Sequence, residues 1–191
     1  MNLGSLFLFN KKIIFTFKLF KKMIKNIIFI CIIIFTVSCE KESASNSLKL
    51  KLDAVIQKSD SLAIYYTTNK SVAFHKEASY WIDVKGSKKN QTISFVFPDS
   101  IKPKQIRIDF GRNKKQPEII LNEISFSYKE NRFSAKGEEV YFLFRVDESN
   151  TKIDKLLGSL KRKEPNQATG PSLYPKGDKL YNKLSQLYTE K

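Results

Sequence analysis

Apolar residues fall on every second position in seven separate stretches of this chain. The clearest is Gln105-Ile106-Arg107-Ile108-Asp109-Phe110, where Ile106, Ile108 and Phe110 alternate with polar or charged neighbours. A strand turns successive side chains to opposite faces, so this period specifies one buried face and one wet face. A helix cannot gather such residues on one side. The same alternation carries Leu48, Leu50, Leu52 and Ile56; Leu62, Ile64 and Tyr66; Tyr80, Ile82 and Val84; and Ile93, Phe95 and Phe97. In the sixth stretch Ile119 and Leu121 are odd whereas Ile124, Phe126 and Tyr128 are even, and a β-bulge near Asn122-Glu123 restores a single buried face. The seventh carries Val140, Phe142, Phe144 and Val146 inward, with Tyr141, Leu143 and Arg145 outward. Turn chemistry separates the stretches at Lys85-Gly86-Ser87, Pro98-Asp99-Ser100 and Gly111 to Gln116. Short strands so punctuated predict a mainly β chain, with an antiparallel β-sandwich or jelly roll over residues 48–147.

Beyond Asp147 the period changes. Ile153, Leu156, Leu157 and Leu160 sit at helical spacing, interrupted by Gly158, which costs about 1 kcal/mol relative to alanine in a helix. Pro165 to Gly177 holds three prolines and two glycines and reads as loop. A terminal helix is expected to start at Asp178, a fair N-cap, and to run to Thr189 with Leu180, Tyr181, Leu184, Leu187 and Tyr188 as its apolar stripe. Residues 148–191 are therefore expected to form a helical and loop C-terminal extension. Its stripe either packs back on the sandwich or docks a partner.

The stretch Met23 to Cys39, MIKNIIFICIIIFTVSC, has a different character. Lys21, Lys22 and Lys25 precede a charge-free run from Ile27 to Val37, 11 residues long, which ends on small Ser38 before Cys39. A secretion signal needs an apolar run of about 7 to 15 residues after a positive start. Spanning a bilayer as a helix takes about 20. Thr36-Val37-Ser38-Cys39 resembles the lipobox of bacterial lipoproteins, with Thr36 standing where that family usually has an aliphatic residue. The resemblance implies cleavage before Cys39 after its thiol is diacylated, leaving residues 1–38 as a removed signal and 39–47 as a lipidated tether. Two acyl chains give stable anchoring where one does not. It implies a bacterial cell envelope location, outer rather than inner membrane, with the domain outside the cytoplasm. Glu40, Lys41 and Glu42 follow, either as a retention or export signal or as part of a solvated tether. Residues 1–22 make a long n-region, and a translation start at Met23 leaves a conventional signal. A signal anchor using both apolar runs would place the lysines between them in lipid, at a cost.

Composition then narrows the chemistry. Residues 1–38 carry six lysines and no acid, so removing them takes the formal charge from +15 to +9. A basic surface suits nucleic acid, anionic lipid or acidic glycan. Export and the lack of any nucleic-acid motif argue against the first. Cys31 and Cys39 are the only cysteines, so the mature domain carries neither disulfide nor thiolate site, and must hold together by its core. The single histidine, His75, has no G-x-S-x-G elbow or comparable nucleophile to serve, and one histidine cannot make a standard zinc site. Asp53, Asp60, Asp83, Asp99 and Asp109 leave a glycosidase pair formally open, but no spacing singles out two. No cofactor, metal or catalytic activity is expected.

Binding is better motivated. Tyr65 and Trp81 face away from the apolar sets of their strands, as do Arg107 and Asp109. Outward aromatics beside charged groups offer a flat apolar surface with polar handles, the way sugar-binding sandwiches grip a pyranose. The segment from Ser61 to Tyr128 also resembles the carbohydrate-binding-module-like sandwich domains of bacterial envelope and polysaccharide proteins. The resemblance rests on Ile64-Tyr65-Tyr66, Gln91-Thr92-Ile93-Ser94-Phe95, and Ile106 to Gly111 followed by Ile119 to Phe126. It implies a non-catalytic binding module for envelope or extracellular glycan. The competing expectation is an envelope protein that engages a protein partner through its C-terminal helix.

Overall fold

A computed structural model describes residues 46–189; Cys39 and the signal-like stretch lie outside the described residues. The described residues belong to a compact unit that spans Ser43–Lys191. Its strands are β1 Lys49–Ile56, β2 Asp60–Thr67, β3 Ser79–Val84, β4 Gln91–Val96, β5 Gln105–Phe110, β6 Ile119–Tyr128 and β7 Asn131–Lys136. They continue with β8 Phe144–Val146, β9 Thr151–Asp154, β10 Ser159–Arg162 and β11 Ser172–Pro175. Two helices accompany them, the single turn α1 Val140–Leu143 and the longer α2 Lys179–Leu187. One antiparallel sheet runs β4-β1-β6-β10-β9, with β7 also paired to β6; the other runs β3-β2-β5-β11-β8. The first contributes Leu50, Leu52, Ile124 and Phe126 to a core that also holds Ile64, Ile106, Ile108 and Leu173 of the second. Each such side chain contributes about 1.5–3 kcal/mol on burial, the main term opposing chain entropy.

The parity slip in β6 is a bulge at the expected place. Asp53 pairs with Glu123 and Ala54 with Leu121, which leaves Asn122 unopposed. A one-residue slip reverses every side chain beyond it, so the extra residue keeps Ile119, Leu121, Ile124 and Phe126 on one buried face. The bulge also divides the other edge of β6. β10 pairs at Ile119 and Ile120, and β7 takes Glu123 to Tyr128.

Three expectations for the second half are overturned. The helical spacing of Ile153, Leu156, Leu157 and Leu160 belongs instead to a β9–β10 hairpin, in which Leu160 pairs with Ile153. Gly158 turns the chain at φ +63, and Leu156 and Leu157 are exposed at the tip rather than buried in a stripe. The alternation from Val140 to Val146 is not one strand. Gly137, at φ +51, opens a 3-10 turn over Gly137–Glu139 that runs into α1, which buries Tyr141 and Leu143 and exposes Phe142. The loop reading of Pro165 to Gly177 misses β11, whose Leu173 pairs with Ile108 and Val146. The C-terminal segment thus completes both sheets and contributes one short helix.

That helix packs back on the domain. Leu180, Leu184 and Leu187 are buried, while Asn182, Lys183 and Gln186 face outward. Tyr188, just past it, meets Tyr128 edge to face at 4.9 Å and donates its hydroxyl to the Pro103 carbonyl at 2.9 Å. Burial pushes that hydroxyl well above the ordinary tyrosine range. The Asn131 amide donates to the carbonyl of Leu187, which the helix end leaves unsatisfied, and to that of Thr189 just beyond it. Near the β2–β3 end of the core, Phe97 lies among Phe95, Tyr66 and Tyr80, with ring centroids at 4.7, 5.7 and 6.0 Å.

Candidate ligand-binding face

Register brings all four expected residues to the outer face of the five-stranded sheet. Directly paired residues share a face. Ala63 of β2 pairs with Trp81 of β3 on one side and Asp109 of β5 on the other, and Tyr65 pairs with Arg107. The face continues across β11 and β8, because Ser172 pairs with Asp109 and Tyr174 with Arg145. Small Ala63 sits in the row between Trp81 and Asp109, and is itself buried.

Arg107 is the centre of the face. Its Nε and Nη2 donate to Asp109 Oδ1 and Oδ2 at 2.8 and 2.6 Å, a two-point contact between residues two apart on one strand face. The guanidinium also lies over Tyr65, 4.9 Å from the ring centroid, and over Tyr174 at 4.4 Å. Burial works against the Arg107 charge, but the hydrogen bonds and the charge of Asp109 outweigh it and raise its pKa above the usual arginine value. Burial likewise raises the Tyr174 hydroxyl, so that ring stays neutral. Arg145 stacks on Tyr174 at 5.0 Å. Asp147 faces both arginines and holds its proton less tightly than an ordinary carboxyl, chiefly because Ser149 donates to it.

Trp81 stands apart at the edge strand. It is 46 % exposed, and Arg112 covers one ring face at 4.0 Å from the centroid. Arg112 is held there because its backbone N–H, with those of Ser61 and Asn113, donates to Asp60 Oδ1. The structure therefore gathers Tyr65, Arg107 and Asp109 into one cluster and places Trp81 on the same face, two strands from Asp109.

Sequence reasoning missed Tyr174, Arg112 and Phe74. Phe74, in the loop from Thr68 to Ala78, meets Tyr174 edge to face at 6.1 Å. The same loop is tied to the start of α2 by a Lys70–Asp178 ion pair at 2.7 Å. The only available signal was the alternation Leu173, Tyr174, Pro175, too short to stand out among prolines and glycines. His75 is exposed in this loop and lines an open cavity of about 410 Å³ with Tyr66, Thr67, Asn69 and Ser71. The cavity's hydroxyls are engaged locally: Thr67 Oγ1 donates to the carbonyls of Asn69 and Ser71.

Four of the five carboxylates considered for catalysis have separate partners. Asp53 accepts from Thr92, Asp60 from three backbone amides, Asp99 from Ser47 and Asp109 from Arg107. Among the described residues no three His, Cys, Asp or Glu side chains converge as metal ligands, and no helix is long and apolar enough to cross a membrane. Comparisons with known protein families, curated proteins and solved structures return no match for this chain.

Proposed function

We propose that this chain is a lipid-anchored bacterial envelope protein whose domain, a β-sandwich, binds neutral glycan without catalysis. The observation that carries the binding half is the shared outer face of Tyr65, Trp81, Arg107 and Asp109, extended by Tyr174 and Arg145. Trp81 supplies an exposed ring with one face held by Arg112, leaving apolar surface for a pyranose. The Arg107–Asp109 pair supplies a planar donor and acceptor on the same face, two strands away, the combination sugar hydroxyls need. Charge on the face is close to balance, with Arg107, Arg112 and Arg145 set against Asp83, Asp109 and Asp147. That balance favours a neutral, hydroxyl-rich ligand over a polyanion.

The test is electrophoresis of the Ser43–Lys191 unit through gels holding glucan, mannan or galactan, with alginate as the anionic comparison. At least one neutral polysaccharide is expected to retard it, and Trp81→Ala to weaken that by about tenfold or more, as loss of a central aromatic contact does. Equal retardation of the variant, or none in any neutral gel, rejects the glycan reading if circular dichroism shows both proteins folded.

The anchoring half rests on Met23 to Cys39, four residues before the compact unit Ser43–Lys191. Intact mass of the protein extracted from envelopes is expected to show loss of residues 1–38 and acyl chains on Cys39. A mature protein retaining that segment discards the lipoprotein reading and leaves the glycan result untouched. No observation favours partner docking through α2, whose apolar stripe is already spent on the core.

A further inference from the structure

The β9–β10 turn displays two leucines that the core does not use. Leu156 is 83 % exposed and Leu157 66 %, the two most exposed large apolar side chains among the described residues. The turn is held open by its own backbone chemistry. Asp154 Oδ1 accepts from the N–H groups of Leu156 and Leu157 at 3.1 and 3.2 Å. Gly158 adopts φ +63, and a Cβ there would lie 2.5 Å from the Leu121 carbonyl oxygen, so only glycine lets the turn approach β6. The Leu121 N–H donates to the Gly158 carbonyl at 2.9 Å and fixes the turn to the β6 edge. With its polar backbone so committed, the tip presents leucine side chains outward.

Lysines surround it. Thr151 to Lys163 carries Lys152, Lys155, Lys161, Arg162 and Lys163 against the single acid Asp154. Lys161 is bridged to Glu118 at 3.0 Å and Lys163 donates to the Glu148 carbonyl. Lys152 and Lys155 are exposed, with no ion pair to either among the described residues.

We propose that this turn is a membrane-contact tip: Leu156 and Leu157 enter the headgroup boundary of an anionic leaflet while Lys152 and Lys155 stay at the phosphates. A protein partner fits less well. Lysine is depleted at the centre of protein interfaces, and two leucines on a narrow tip fall far short of the roughly 800 Å² per side of a stable complex. An anionic bilayer needs neither a complementary surface nor a large area, and attracts each nearby lysine. This inference stands apart from the glycan reading, since the tip lies on the other sheet from Trp81. It is also independent of any lipid on Cys39.

The Ser43–Lys191 unit, compact and with its own core, separates the tip from the apolar N-terminal stretch. It is mixed with vesicles of phosphatidylcholine alone or of phosphatidylcholine with phosphatidylglycerol, and floated on a density gradient. The wild type is expected to float with the anionic vesicles. A Leu156→Ser, Leu157→Ser variant is expected to partition at least about tenfold less, and Lys152→Gln, Lys155→Gln several-fold less. Unchanged thermal midpoints confirm that the variants fold. Failure of the wild type to float, equal flotation of the leucine variant, or indifference to phosphatidylglycerol overturns the proposal. So does a tip that captures a protein while ignoring vesicles.

Discussion

Phe97→Ala is expected to lower the free energy of unfolding by about 4 kcal/mol, read as a fall in the urea midpoint at constant slope. Phe97 is fully buried just past β4, where its N–H donates to the Leu48 carbonyl at 2.9 Å. Its ring meets Phe95 edge on from its own sheet and Tyr66 and Tyr80 from the other. Removing it deletes the apolar surface and leaves a cavity that three stiff rings cannot readily fill. Whole domains are stable by only about 5–15 kcal/mol, so this single loss is a large share. The neighbouring Val96, 48 % exposed, provides the comparison, and Val96→Ala is expected to change stability by less than about 0.5 kcal/mol. Similar losses at the two positions would mean that Phe97 does not lock the sheets together.

The second large effect is expected at Gly170→Ala. A Cβ at that position would sit 1.6 Å from the Phe110 carbonyl oxygen and 2.6 Å from that of Gly111, where non-bonded contact needs about 3.5 Å. Neither obstacle is a side chain that could swing away. The Gly170 N–H donates to the Gly111 carbonyl, and the Phe110 N–H donates to that of Pro171; these bonds lead the chain into β11 beside β5. Alanine has to force the two segments apart, at a cost of at least about 3 kcal/mol. The damage extends to the candidate face, because β11 carries Tyr174, which Arg107 and Arg145 both stack on. Gly177→Ala is the matched comparison. Its φ of +59 brings a conformational penalty of about 1–2 kcal/mol, but a Cβ there meets nothing within 4 Å. If the two alanine variants unfold alike, the close crossing at Gly170 carries no special load.

Legibility in the sequence followed the size and local origin of the signal. β1 to β6 announce themselves because bulky residues such as Leu50, Ile93, Ile108 and Phe126 alternate with polar ones, and even the Asn122 bulge is visible as a change of parity. β7 was hidden because its inward residues are only Phe133 and small Ala135, and because a Lys129-Glu130 turn at φ +51 replaces the usual Asn-Gly. The tip leucines imitated a helical stripe, since spacing alone cannot distinguish a residue buried at i+3 from one held out on a turn. In the candidate face, Tyr65, Trp81, Arg107 and Asp109 were readable from parity. Tyr174 was not. Its place beside Arg107 depends on which distant strands become neighbours, and that is decided by pairing across the whole sheet.

The position of β1 has a mechanical consequence. It is the first strand of the domain, yet it lies inside its sheet, paired along β4 on one edge and along β6 on the other. A pull applied through the N-terminus, as from an anchor, is received along the length of β1. The hydrogen bonds on both edges lie across that direction and bear the load together in shear, whereas an edge strand would peel away one bond at a time. Leu48, Leu50, Leu52, Ala54 and Ile56 would have to be dragged out of the core in the same movement. A tether at the N-terminus would therefore load a strand that shears on both edges rather than one that peels.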